Sequence, residues 1–117
     1  MRYRERVTEA ICSEVDDVLT LCLRNGPDQV VEFLFWYDFD AHEVVNRDGM
    51  VGYEAVNSWR LTRRDLYLEY DARSAARLGF PRLHQLRLEL PDQQFAAVRA
   101  GLVEIIGTAC HVIERGT

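Results

Sequence analysis

The sequence contains no lysine: all 14 basic residues are arginine, set against 19 acidic residues for a formal charge of −5 and a pI near 5.1. Nonspecific nucleic-acid binding rests on neutralising phosphates with Lys and Arg, and this balance works against it. Long apolar runs are missing too. The longest, Phe33 to Tyr37, has five residues, whereas a bilayer helix needs about eighteen or more. The opening Met1-Arg2-Tyr3-Arg4-Glu5-Arg6 does not lead into the apolar segment of a signal peptide, so a cytoplasmic location without a membrane partner is expected. Gly49 and Gly52 stand alone and no GxxxxGK pattern occurs, which excludes a phosphate-cradling loop of that type. Ser13, Ser58 and Ser74 lack the glycine-flanked turn that exposes a serine nucleophile. The three cysteines, Cys12, Cys22 and Cys110, cannot all pair with one another, and a reducing compartment would keep them as small buried thiols. Cys12 and Cys22 fall on adjacent predicted strands, which leaves a pairing between them open.

What is present specifies an α+β fold over a single domain, residues 1–117. A chain of this length buries roughly two thirds of its unfolded surface. Leu66, Leu68 and Tyr70 alternate with Tyr67, Glu69 and Asp71, the period-2 pattern of a strand with one buried face. Across the link Thr62 to Asp65 this strand pairs with Glu54 to Leu61, predicting Leu61 opposite Leu66, Trp59 opposite Leu68 and Asn57 opposite Tyr70. A one-residue slip would put Trp59 and Leu61 on the wrong face. Asp71 and Gly79 bracket a short helix, Ala72 to Leu78, as its two caps. Leu86, Leu88 and Leu90 mark another strand. Asp92 is expected to cap a final helix whose Phe95, Val98, Leu102, Ile105 and Ile106 form one stripe.

Toward the N-terminus, Arg4 to Ser13 reads as a strand, Glu14 to Asp17 as a turn, and Leu19 to Leu23 as a second strand. Asn25-Gly26-Pro27-Asp28 is a strong turn signal. It predicts Leu23 opposite Val31, Leu21 opposite Phe33 and Leu19 opposite Phe35. The strand Val30 to Tyr37 is apolar on both faces, so it is either central in the core or pressed against a partner, with Trp36 the residue expected at the surface. Val44 to Asn46 is a short strand, and Arg47-Asp48-Gly49 turns it into a strand from Met50 to Leu61. These elements predict one mostly antiparallel sheet of about six strands, because the links are too short for crossovers, with the last helix packed on one face.

One acidic cluster stands out: Asp38-Phe39-Asp40-Ala41-His42-Glu43. On a strand, Asp38 and Asp40 would share a face and suit a hard cation, with His42 or Glu43 completing the shell. The competing expectation, preferred here, is a solvated acidic surface for binding. His84 and His111 have no partner at zinc-site spacing, and Cys110 and His111 point apart on a helix. Together these features favour a binding protein over an enzyme and imply neither metal nor cofactor.

The segment Val44 to Gly107 resembles the bacterial immunity proteins of polymorphic toxin systems, specifically the family numbered ten. The likeness is carried by Asp48-Gly49, Tyr53 to Val56, Ser58-Trp59-Arg60-Leu61, the alanine-rich Asp71 to Gly79 helix ending in Leu78-Gly79, Leu90-Pro91 and the Phe95 to Ile106 helix. Tyr53 and Val56 match the family's Tyr-Gly-Gly-Val stretch, while Glu54 and Ala55 replace its two glycines. The resemblance implies a non-enzymatic inhibitor that binds and blocks a cognate toxin. Acidic residues Asp38, Asp40, Glu43 and Asp48, with Trp36 or Tyr37 as an aromatic anchor, are the expected contact surface. Two other expectations remain open: a homodimer formed through the two-faced strand, and a small metal- or ligand-binding enzyme using Asp38 to Glu43.

Overall fold

The computed structural model describes residues 4–62, 64–107 and 114–115. Its strands are β1 (Arg4–Val7), β2 (Glu9–Val15), β3 (Val18–Asn25), β4 (Asp28–Trp36), β5 (Ala41–Val45), β6 (Val51–Tyr53), β7 (Val56–Thr62), β8 (Asp65–Tyr70), β9 (Leu83–Leu88) and β10 (Glu114–Arg115); its helices are α1 (Ala72–Leu78), after β8, and α2 (Asp92–Ile105), after β9. The class is α+β and the pairing mostly antiparallel, as the alternation implies. The strands divide, however, into two sheets of five rather than one of about six. Sheet A has the order β1-β9-β8-β7-β10 and sheet B the order β2-β3-β4-β5-β6.

The division falls at two places where the expected strands were too long. The strand expected over Arg4 to Ser13 is cut at Thr8. Val7 pairs in parallel with Leu88 of sheet A, and Glu9 pairs with Arg24 of sheet B. The Thr8 amide donates to the Arg24 carbonyl at 2.8 Å, so the chain passes from one sheet to the other without a loop. The second cut is at Glu54-Ala55, which splits the expected Met50 to Leu61 strand into β6 and β7. Glu54 sits at φ 49°, a left-handed conformation uncommon for a residue with a Cβ.

Registers follow the alternation closely. Leu19, Leu21 and Leu23 face Phe35, Phe33 and Val31, and Leu61 and Trp59 face Leu66 and Leu68. Tyr70 faces Val56 instead of Asn57, because a register shift between Val56 and Ser58 bulges Asn57 out of the pairing. At the Gly26-Pro27 turn, Asn25 still pairs with Asp28, so the loop is two residues long.

The inward side chains of both sheets and the buried sides of both helices share one apolar core, with Phe33, Trp59, Leu66, Leu86 and Leu102 almost wholly enclosed. In α1, the Asp71 carboxylate accepts the Ser74 amide at 2.8 Å and Gly79 closes the helix at φ 73°. Helix α2 packs on β2, β3 and β4, close enough that a Cβ on Gly101 would stand 3.5 Å from Leu21. Asp92 does not cap α2. Pro91 holds that place, and the Asp92 carboxylate instead pairs with Arg64 at 2.7 Å. Phe95 is only half-buried, under the Arg64 guanidinium at 4.7 Å. The expectations for Cys110, His111 and most of the tail after Gly107 lie outside the described residues.

Candidate functional site

Because side chains alternate along a strand, each sheet has a face turned away from the core, and the two outward faces differ in chemistry. That of sheet A is mostly polar and internally paired, with Leu83, 73% exposed at the start of β9, as its apolar exception. Arg60 lies over the Tyr67 ring at 4.3 Å, Gln85 donates to the Tyr67 hydroxyl at 3.2 Å, Ser58 donates to Glu69 at 2.9 Å, and Arg87 pairs with Asp65 at 3.1 Å. The outward face of sheet B carries Ile11, Val15, Val18, Leu34, Trp36, Val45, Val51 and Tyr53, as the pairings of β2 through β6 require. Val15 is 65% and Tyr53 70% exposed. No described helix covers this face, since α2 lies on the Leu21 side.

Charge separates in the same way. Residues 9–54, which contain all of sheet B, hold eleven acidic residues and two arginines, a net of −9; the rest of the chain holds eight acidic residues and twelve arginines, a net of +4. Two turns at one end of sheet B concentrate the acids. Val15 pairs with Val18, so Asp16 and Asp17 form a two-residue hairpin turn with both φ angles positive, 52° and 64°. The Tyr37 amide donates to the Asp17 carbonyl at 3.1 Å, which brings the Asp38-Phe39-Asp40 turn beside it. Phe39, 74% exposed, leans against Trp36 with ring centroids 6.4 Å apart. The Trp36 indole nitrogen is itself buried and has no hydrogen-bond partner among the described residues.

The expected site residues do not all share this surface. Trp36, Asp38, Asp40 and Glu43 do: Glu43 projects from the outward face between Leu34 and Tyr53. Tyr37 does not accompany Trp36. It turns toward α2, its ring edge-on to Phe35 at 5.0 Å and its hydroxyl 3.4 Å from Glu104. Asp48 lies beyond the far end of β5, whose four steps from Ala41 to Val45 span about 14 Å at ~3.4 Å per residue, in the turn where its amide donates to the Asn46 side chain at 2.9 Å. Asp16 and Asp17 were missed as site residues; the signal available was two consecutive carboxylates in a segment already read as a turn.

The four side chains considered for a cation do not converge, and no group of three or more His, Cys, Asp or Glu suited to a metal occurs among the described residues. His42 is on β5, turned inward and buried. Its Nε2 accepts the Val56 amide at 3.3 Å, so its proton sits on Nδ1, 3.3 Å from the Glu54 carboxylate. Burial lowers its pKa, with Glu54 opposing. That carboxylate also accepts the His42 amide at 2.8 Å, while the Glu54 amide donates to the His42 carbonyl at 2.8 Å. This clamp holds Glu54 in its left-handed conformation. His84 is also a core residue. It joins the Tyr70 hydroxyl at 2.9 Å to Glu5 at 3.1 Å, and Glu5 continues to Arg47 at 3.1 Å. Cys12 and Cys22 are not bridged: Cys12 faces Leu21 on the inward side while Cys22 faces Ile11 on the outward side.

Among the described residues, no helix is long and apolar enough to cross a membrane. Comparison with protein-family models, with curated proteins and with solved structures finds no significant match.

Proposed function

We propose that this chain is a non-enzymatic, immunity-type protein that binds a basic protein toxin and blocks it with the outward face of sheet B. The observation that carries the reading is the coincidence, on one sheet, of an apolar face that no described residue covers and nearly all of the chain's excess negative charge. Interfaces of inhibitor type place a few large apolar anchors inside a polar rim, and complementary charge accelerates encounter. Trp36 and Phe39 are the anchors here, with Val15 beside them, and Asp16, Asp17, Asp38, Asp40 and Glu43 are the rim. Trp36 also brings an unpaired donor. A buried donor without a partner costs about 1–3 kcal/mol, and a carbonyl of the bound toxin that reached the indole as Phe39 shifted would recover it. The sequence resemblance to an immunity family supplies the toxin; the surface supplies its sign of charge.

The test is growth rescue in bacteria producing the toxin domain encoded beside this gene. Co-production of the chain restores growth, and the double reversal Asp38→Arg/Asp40→Arg removes the rescue while leaving thermal unfolding unchanged. The reading fails if the gene has no such neighbour, or if the reversed protein protects as well as the original.

A further inference from the structure

Strand β2 is an edge of sheet B, and every residue from Glu9 to Val15 except Ala10 is exposed. The Ala10 amide points away from β3, because it donates to the Gln94 side chain of α2 at 2.9 Å. Main-chain groups alternate along an antiparallel strand, so the amides and carbonyls of Cys12 and Glu14 point the same way, outward from the sheet. Gln94 thus occupies the first position of a row in which the next two have no partner among the described residues.

Long edge strands are commonly shortened, bulged or covered. The opposite edge of the same sheet, β6, has three residues and lies against α1. Strand β2 has seven residues and is defended only by charge of one sign, Glu9 and Glu14, followed by Asp16 and Asp17. That charge speaks against a second copy of this chain. Antiparallel self-pairing about Cys12 would set Glu14 opposite Ala10 and Glu9 opposite Val15, placing four carboxylates along one seam, with only the Arg24 side chain that faces each Glu9 from β3 to offset them. The same charge suits an extended segment bearing Arg or Lys.

We infer that β2 accepts an added strand from a basic partner polypeptide, extending sheet B and continuing its apolar outward face past Ile11 and Val15. Main-chain bonds to Cys12 and Glu14 supply affinity, and basic side chains opposite Glu9 and Glu14 supply selectivity. The inference rests on the reading of sheet B as the binding sheet and specifies the chemistry and geometry of what it binds.

The test selects binders of the whole protein from a phage-displayed library of random extended peptides. Enriched sequences carry paired basic residues flanking a β-branched or aromatic position, and the Cys12→Pro variant binds them about tenfold or more weakly, as expected when outward main-chain bonds are lost. Proline fits there because the amide it removes is not part of the β2–β3 ladder, and an unchanged melting curve checks that the fold is kept. Glu9→Lys/Glu14→Lys is the second variant; it weakens the same peptides without touching the backbone. Three outcomes overturn the inference: no enrichment, enriched peptides without basic residues, or equal binding by Cys12→Pro. A concentration-dependent dimer abolished by Cys12→Pro would assign the edge to a second copy and overturn it as well. Peptide binding at β2 combined with failed growth rescue would retain strand addition and remove the toxin reading, whereas rescue undiminished by Cys12→Pro would do the reverse.

Discussion

The two sheets are alike inside and opposite outside. Their inward faces are built from the same leucine and aromatic alternation and meet in one core. Their outward faces part ways: sheet A pairs its charges with one another across neighbouring strands, whereas sheet B displays apolar side chains ringed by acids. A solvated face needs mixed charges in contact, and such pairs contribute little individually. A face left largely apolar, with acids far outnumbering the arginine that faces Glu9, gains little for the isolated chain, and this composition supports the proposed partner.

The comparison can be broken first at the core. Phe33→Ala in sheet B and Trp59→Ala in sheet A each remove a nearly fully buried ring and are expected to cost about 3–5 kcal/mol in urea unfolding. A loss below about 1 kcal/mol at either site would show that the inward faces are not equivalent. On the outward faces the symmetry ends. Trp36→Ala, at a half-buried position, is expected to cost about 1–2 kcal/mol and to abolish toxin neutralisation. Arg60→Ala on sheet A costs less than about 0.5 kcal/mol and leaves neutralisation intact. Loss of function at Arg60 with retention at Trp36 would exchange the roles of the two faces.

Acidity provides a sharper probe of where the sheets join. Burial holds the His42 pKa below its ordinary value near 6.5, so in this region the unfolded chain binds the extra proton. Stability is therefore full above about pH 6.5 and declines as pH falls from there through the folded-state value. Replacing His42→Gln should flatten this part of the stability profile measured by chemical denaturation between pH 7 and 5; an unaltered slope would mean the imidazole is not the group responsible. A small effect of opposite sign is expected at the acidic turn. Both of its residues have positive φ, so Asp17→Gly should stabilise the fold by about 0.5–1 kcal/mol while slowing association with a basic partner. A destabilised variant would mean the Asp17 side chain supports the turn.

Much of the fold was legible in the sequence, for a physical reason. Where one face of a strand is buried, a single slip exposes every apolar residue, so the Leu21–Phe33 and Trp59–Leu68 pairings could be read from alternation alone. Helix α1 announced both of its ends through Asp71 and Gly79. The division into two sheets was hidden because neither crossing point carries proline or glycine. Thr8 passes the strand on through one ordinary amide bond, and Glu54 takes a left-handed conformation through its clamp to His42, a contact between residues twelve apart that no local pattern encodes. The site was legible only in part. An acidic run and a two-faced aromatic strand marked the region, but which side chains shared a surface depended on the turn at Asp38 to Asp40. That turn sends the exposed Tyr37 to the α2 side of the sheet and leaves Trp36, half-buried against Phe39, on the outward face; it also brings in Asp16 and Asp17 from a different hairpin.

The decisive measurement is backbone hydrogen exchange on the chain, free and in the presence of the proposed basic toxin partner. Binding by sheet B predicts slowed exchange in β2 and in the turns at residues 16–17 and 37–40, with β7, β8 and β9 unchanged. Protection confined to β7, β8 and β9 would contradict it.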